Sequence, residues 1–264
     1  MKFILHLIIS IKINITNIYM FHYTNSITNS NIDTYVYISC SNFDKNIKKL
    51  EKQFKFKFPS KFYSYFKGET NKFTKLFIKD KLFIIGKINE KKCSFTDIDN
   101  MLKRICAFIK SDNKIINIQF LLIPIEEFIR HQVLRVVYYM YKFNKHKTKK
   151  KALKKNIHFC GVNKLKSVII NSIKEAHIIN DMRDMVNEPG NIMNSTNFVK
   201  FVKENHQKLK LEIMNQAELK KKKLNLILGV NRGSENKPYL LVVKWLPVKK
   251  QKPVVLVGKG VTFD

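Results

Sequence analysis

The sequence predicts an α/β fold. Three observations carry the prediction. Short runs rich in Ile, Val, Leu and Phe have strand length at 34–40, 81–88, 115–124 and 239–246. Longer stretches with apolar residues at helical spacing lie between them, at 94–110, 126–141 and 167–186. The two kinds of segment alternate, as layers of helix packed on sheet require. With 264 residues and 45% hydrophobic content the chain has material for one large or two ordinary domains with real cores.

Residues 1–33 mix Ile with Asn, Thr and Ser without a clear period. The opening MKFILHLIISI resembles a short signal peptide, but His6 interrupts it, Lys12 follows and no small-residue cleavage site appears. It reads as a first strand or as sequence upstream of the domain. TYVYISC, FKFKF and KLFIIGKI then alternate apolar residues with lysines. Phe54, Phe56 and Phe58 alternate with Lys55 and Lys57, the pattern of a strand with one buried face. The same interleaving of aromatics and lysines suits stacking on single-stranded nucleic acid, so both readings stand.

Ser94–Lys110 reads as a helix burying Ile98, Met101, Leu102, Ile105 and Phe108. Ile115–Pro124 is a strand, and Glu126–Tyr141 a second helix with acids in its first turn, where the helix dipole favours them. His131 on that helix has no second His or carboxylate at metal spacing and reads as a surface or packing residue. Lys142–Lys155 is a charge run between patterned regions. It is the best candidate for a domain linker, dividing residues 1–155 from 156–264, with a nucleic-acid or nuclear-import patch as the other reading.

Ser167–Val186 is a long amphipathic helix with Ile169, Ile173, Ala176, Ile179, Met182 and Val186 along one face, stopped by Pro189 and Gly190. Asn194 or Ser195 caps the next helix, Thr196–His206. A short strand at 211–214, a short helix at 217–223, a loop-rich stretch at 226–238 and a buried strand at 239–246 follow. In Val254–Asp264, VVLVGKGVTFD, four consecutive apolar residues predict a strand buried on both faces. Gly258 and Gly260 bracket Lys259, and the strand would deliver Lys259 and Asp264 to its C-terminal end, where open α/β sheets bind ligands.

The net charge of +30 comes mostly from lysine, in a sequence rich in Ile, Lys, Asn and Phe of the kind that AT-rich coding gives. A surface this basic is expected to bind polyanions weakly and in a salt-dependent way. The four cysteines, Cys40, Cys93, Cys106 and Cys160, form no C-x-x-C pair and no metal-ligand rhythm with histidine, and read as reduced, structural residues of an intracellular protein. No run reaches the roughly 18 apolar residues of a membrane span, so no membrane partner is expected.

Four segments, in order, resemble the leucine aminopeptidase (cytosol aminopeptidase) family. Asp184–Phe198, DMVNEPGNIMNSTNF, is similar to its LVN-x-P-x-N segment, with Asn194-Ser195-Thr196 in place of the usual Thr-Pro. Ala217–Trp245 is similar to its G-x-G-S…P-x-L-I segment, and VVLVGKGVTFD to the start of its metal-binding signature. His131–Lys147 resembles, more loosely, the last helix before the catalytic domain, without the family's Glu-Gly. The likeness covers about residues 126–264 and is strongest in the last eighty.

The resemblance implies an N-terminal macro-like three-layer domain and the first part of a C-terminal α/β metallopeptidase domain. It implies two divalent metal ions, Zn²⁺ or Mn²⁺, hydrolysis of N-terminal residues of leucine type from peptide substrates, a homo-hexamer and a cytoplasmic protein. By position Lys259 is the metal-binding lysine and Asp264 the metal-bridging aspartate. Such a pair of metals bridges a hydroxide and polarises the scissile carbonyl, and a lysine ligand needs a depressed pKa, which a neighbouring dication supplies. The family's second lysine, other acidic ligands and catalytic arginine lie beyond Asp264, so no residue here takes a catalytic role. The expectation is a C-terminally truncated member, inactive alone. A basic nucleic-acid or nucleotide-binding module, and a catalytically dead subunit of a hexamer, are the alternatives.

Overall fold

The computed structural model describes residues 19–24, 31–89, 93–123, 125–148, 154–161, 163–205, 209–246 and 252–261. They form two compact units, one reaching Asp181 and one starting at Met182.

The first unit is built on a six-stranded sheet. Its strands are β1 (Tyr19–Thr24), β2 (Thr34–Ser39), β3 (Lys72–Ile78), β4 (Lys81–Lys87), β5 (Asn117–Leu121) and β6 (Lys155–Cys160), in the order β1-β6-β5-β2-β4-β3. All neighbours are parallel except β3, which pairs antiparallel with β4 through a tight turn at Lys79 and Asp80, both with positive φ. Leu82–Gly86 is buried without a break, the pattern of a parallel strand covered on both faces.

The helices are α1 (Phe43–Phe54), α2 (Ser60–Phe66), α3 (Phe95–Ser111), α4 (Glu126–Met140) and α5 (Lys166–Asn187). Val36, Ile38, Ile84, Ile118, Phe120, Ile157 and Phe159 face α3, α4 and the first part of α5 in one apolar cluster. Tyr35, Phe83, Ile85, Leu121 and Cys160 point the other way and pack with Phe43, Ile47, Leu50, Phe62 and Phe66 of α1 and α2. The result is a helix–sheet–helix sandwich, in agreement with the predicted three-layer α/β class. Gly86 lets α3 come close to the sheet, since a Cβ there would stand 3.1 Å from the sulfur of Met101.

Several expectations are corrected. Phe54, Phe56 and Phe58 are not on a strand. Phe54 ends α1, Lys55 caps it in the left-handed region (φ 54°), and Phe56 and Phe58 lie on the turn into α2. Their rings pack on one another and on Phe83, at 4.8–6.2 Å between centroids, so they are core rather than a stacking platform for nucleic acid. The alternation arises from a helix end followed by a short turn. Cys40 and Cys93 are not both free thiols: they are disulfide-bonded, with Cα atoms 5.6 Å apart, whereas Cys106 and Cys160 are free and buried. The basic run does not end the first unit, because β6 begins at Lys155 and lies between β1 and β5. The predicted apolar face of α5 holds for Ile169 and Ala176, but Met182 and Val186 are 61% and 84% exposed.

The second unit contains the end of α5, α6 (Ser195–Asn205), β7 (Lys210–Met214), α7 (Gln216–Lys221), α8 (Asn225–Val230) and β8 (Leu240–Lys244). Strands β7 and β8 pair antiparallel, with the Lys244 ammonium on the Glu212 carboxylate. Asn194 caps α6 by accepting a hydrogen bond from the Asn197 amide at 3.0 Å, and Asn215 forms a capping box with Glu218 on α7. The stretch expected to be loop contains α8 and a short 3₁₀ turn at Asn231–Gly233. Strand β8 is half-buried rather than buried, since β7 is its described neighbour.

Candidate metal centre

Three of the segments that carry the resemblance lie in the second unit. Helix α5 ends at Asn187, and the carbonyl of Pro189 accepts hydrogen bonds from the amides of Ile192 and Met193, both at 2.9 Å. This turn presents Asn194 and Ser195 to the start of α6. The Ser195 hydroxyl donates to the carbonyl of Lys237 at 2.6 Å, which ties the NSTNF segment to the ENKP segment just before β8. Beyond it, the Asn231 amide group donates to the Asn236 carbonyl at 2.9 Å and closes the turn between α8 and β8. The structure therefore brings together two segments that are about forty positions apart in sequence.

The third segment is not brought into a sheet. Residues 252–261 carry no strand, and Val254, Val255, Leu256 and Val257 are 74–93% exposed. The strand expected to be buried on both faces is thus corrected. Apolar composition gives a segment the capacity for burial, but burial needs neighbouring strands, and none pairs with it among the described residues. Lys259 is exposed, and the flanking Gly258 and Gly260 stand in open space. Asp264 lies outside the described residues. Among the described residues no three His, Cys, Asp or Glu side chains converge on a point that could hold a metal ion. The described residues therefore do not fit a metal pair by themselves.

The best-formed polar cluster is elsewhere, between α3 and α4. The Arg135 guanidinium donates to both oxygens of Asp99, at 2.7 Å for one of them, and the Tyr139 hydroxyl donates to the same carboxylate at 2.6 Å. His131 stands 3.9 Å from Asp99 and against the Phe95 ring, consistent with its reading as a packing residue. Burial pushes the Asp99 carboxyl up, but the hydrogen bonds from Arg135 and Tyr139 and the Arg135 charge outweigh it and hold the carboxyl below its usual value. Burial and the bond to Asp99 push the Tyr139 phenol up to about 12. Arg135 and Tyr139 both bond the Asp99 carboxylate, so the cluster clamps two helices. Sequence reading missed Asp99, whose partners lie on another helix. No described helix is long and apolar enough to cross a membrane.

Comparison with known proteins bears on the same segments. Residues 180–264 match the family model described as the cytosol aminopeptidase family, catalytic domain. A probable cytosol aminopeptidase of Phytoplasma australiense is 33% identical over 146 residues, which cover 52% of this chain and 29% of the relative. One from Wolbachia pipientis wMel is 40% identical over 85 residues, covering 31% of this chain and 17% of the relative. In fold, the chain is similar to a point mutant of tomato leucine aminopeptidase, with a TM-score of 0.62, 15% identity, and coverage of 84% of this chain and 50% of that one. It is also similar to a bottromycin maturation enzyme solved in complex with Mn, with a TM-score of 0.60, 13% identity, and coverage of 79% and 44%. The chain spans less than a third of the length of these two curated relatives. The match to the cytosol aminopeptidase catalytic-domain model is thus confined to residues 180–264, which contain the linked segments around Ser195 and Lys237.

Proposed function

We propose that residues 182–264 contribute to the catalytic domain of a metal-dependent aminopeptidase that releases N-terminal residues, of leucine type, from peptides in the cytoplasm. Lys259 and Asp264 are the two residues that this reading assigns to its Zn²⁺ or Mn²⁺ centre. The observation that carries it is the family match over residues 180–264, which ends on VVLVGKGVTFD. A polypeptide of these 264 residues is not expected to turn over peptides, because Lys259 and Asp264 are only two of the ligands that such a centre needs. Assembly into a homo-hexamer belongs to the same proposal.

The test is release of leucine from leucyl amide by the purified 264-residue chain, with Mn²⁺ or Zn²⁺ added. No metal-dependent release is expected. Release that disappears on Lys259→Ala would show that the centre forms within these residues and would overturn the inactivity.

A second reading rests on a groove in the first unit, at the carboxyl end of β4. It has a volume of about 600 Å³ and is lined by Lys48, Lys67 and Lys87, with one acid, Asp44, beside Tyr63 and Phe66. Three ammonium groups and a phenol in one groove suit a nucleotide or another phosphorylated aromatic. Saturable binding of one nucleotide over others at physiological salt, weakened by Lys67→Ala, would support it. Binding that tracks ionic strength alone would reduce it to the general effect of the charge.

A further inference from the structure

Seven histidines occur in the chain, and two of them meet across the edge of the first sheet. His22 of β1 and His158 of β6 are direct partners in the parallel register, and their rings stack 5.0 Å apart with planes 25° from parallel. The neighbouring Phe21 and Phe159 point to the opposite face, where they stack on each other and Phe21 meets His177 of α5. Both imidazoles therefore lie on the face that α1 and α2 cover farther along the sheet. Among the described residues, none of β1 belongs to that aromatic cluster. His22 is exposed and His158 half-buried. On the same face, the next residues along the two strands are Thr24 and Cys160, with Cys160 buried.

We propose that His22 and His158 form a binding site for one late first-row divalent cation, Zn²⁺, Cu²⁺ or Ni²⁺, which pins the edge strand β1 to β6. The site is separate from the centre assigned to Lys259 and Asp264. Imidazole nitrogen is a preferred donor for these ions and binds them at about 2.0–2.1 Å. Parallel pairing fixes the two Cα positions, so the cost of bringing two donors together is met when the sheet forms. The stacked rings stand 5.0 Å apart, close enough for one ion to reach a nitrogen of each. The exposed His22 ring can turn about its side-chain torsions until both lone pairs converge on one ion, with water in the remaining positions. The nearest ammonium on β6, Lys155, is buried and donates to the carbonyls of Asp112 and Ile115, so it does not stand over the pair. Among the described residues, strand β1 is the last of the sheet, held on one side by β6, and it is the element that gains from a second attachment.

The test is titration of the purified chain with Zn²⁺ alone, followed by thermal unfolding, in the unsubstituted chain and in His22→Ala, His158→Ala and His146→Ala. One ion per chain is expected, with binding weakened about tenfold or more by either His22→Ala or His158→Ala and unchanged by His146→Ala. Saturating Zn²⁺ is expected to raise the melting temperature of the unsubstituted chain but not of His22→Ala. Because His158 is half-buried and its removal could disturb the strand, Cu²⁺ bound to the unsubstituted chain gives an independent reading. Its electron paramagnetic resonance spectrum should show two equatorial imidazole nitrogens, and one in His22→Ala. Equal affinity in the unsubstituted chain and His22→Ala, or a single-nitrogen spectrum in the unsubstituted chain, would overturn the proposal.

Discussion

Asp99 and His177 contribute to how the first unit responds to acid, beside His131 and His158, whose imidazoles burial also pulls down. The Asp99 carboxyl is held below its usual value in the folded chain, so its stabilising contribution is complete above the unfolded carboxylate pKa of about 3.9 and is lost as pH falls through the lower folded value. His177 is buried, and burial pulls its imidazole down. It stays neutral when folded, so the stability it gives is complete above the unfolded value of about 6.5 and falls as pH drops below it. Acid unfolding of this unit should therefore proceed in two stages. In thermal melts from pH 7 to pH 2.5, His177→Phe is expected to flatten the upper stage and Asp99→Asn the lower. At pH 7, Asp99→Asn should cost about 2 kcal/mol, because the carboxylate accepts charge-assisted hydrogen bonds in a partly buried place. An unchanged pH profile in either variant would contradict the assignment. None of this was visible in the sequence, where Asp99 and Arg135 are simply polar positions on two amphipathic helices.

At the level of elements, the sequence was most informative where an apolar period and an end signal coincide. Helix α3 shows this: Ser94 accepts from the Asp97 amide at 3.2 Å, Asp97 bonds back to Ser94, and Ile98, Met101, Leu102 and Ile105 fill the core. Ser94→Ala is expected to cost about 1 kcal/mol in denaturant unfolding, and a neutral result would mean that the cap is not formed. Helix α1 was not legible although Phe43, Ile47 and Leu50 have helical spacing, because lysines crowd the positions between them and the Phe–Lys alternation at its end has the period of a strand. The Cys40–Cys93 bond was missed for a different reason. The two residues are 53 positions apart, and what joins them is the meeting of the end of β2 with the entry to α3. Residues 254–257 failed in the other direction, since a buried strand is a property of its neighbours as much as of its own side chains.

For the whole molecule, the two units differ in how much apolar surface they bury. The first has apolar clusters on both faces of its sheet, and Ile47, Ile84, Ile98, Ile105 and Ile118 are fully buried. The second leaves Leu226, Val230, Leu256 and Val257 at 71–93% exposure. Apolar residues exposed to this degree favour association. Limited proteolysis is expected to cut first within 252–261, and the unit reaching Asp181 should outlast the one starting at Met182. Dye binding to exposed apolar surface should fall as residues 252–261 are removed. Equal protease resistance in the two units would contradict this. The α/β class and the family resemblance were legible because they rest on strand–helix alternation and on four ordered motifs. The proposed metal centre was legible only as residue types, since geometry at Lys259 depends on packing that the described residues do not provide.

The most direct measurement of the aminopeptidase reading is hydrolysis of leucyl amide by a chimera in which residues 182–264 replace the matching segment of tomato leucine aminopeptidase. The expected result is a folded chimera with metal-dependent hydrolysis, reduced about 100-fold or more by Lys259→Ala or Asp264→Ala. A folded, active chimera that tolerates both substitutions would contradict the assignment of Lys259 and Asp264 to the metal centre.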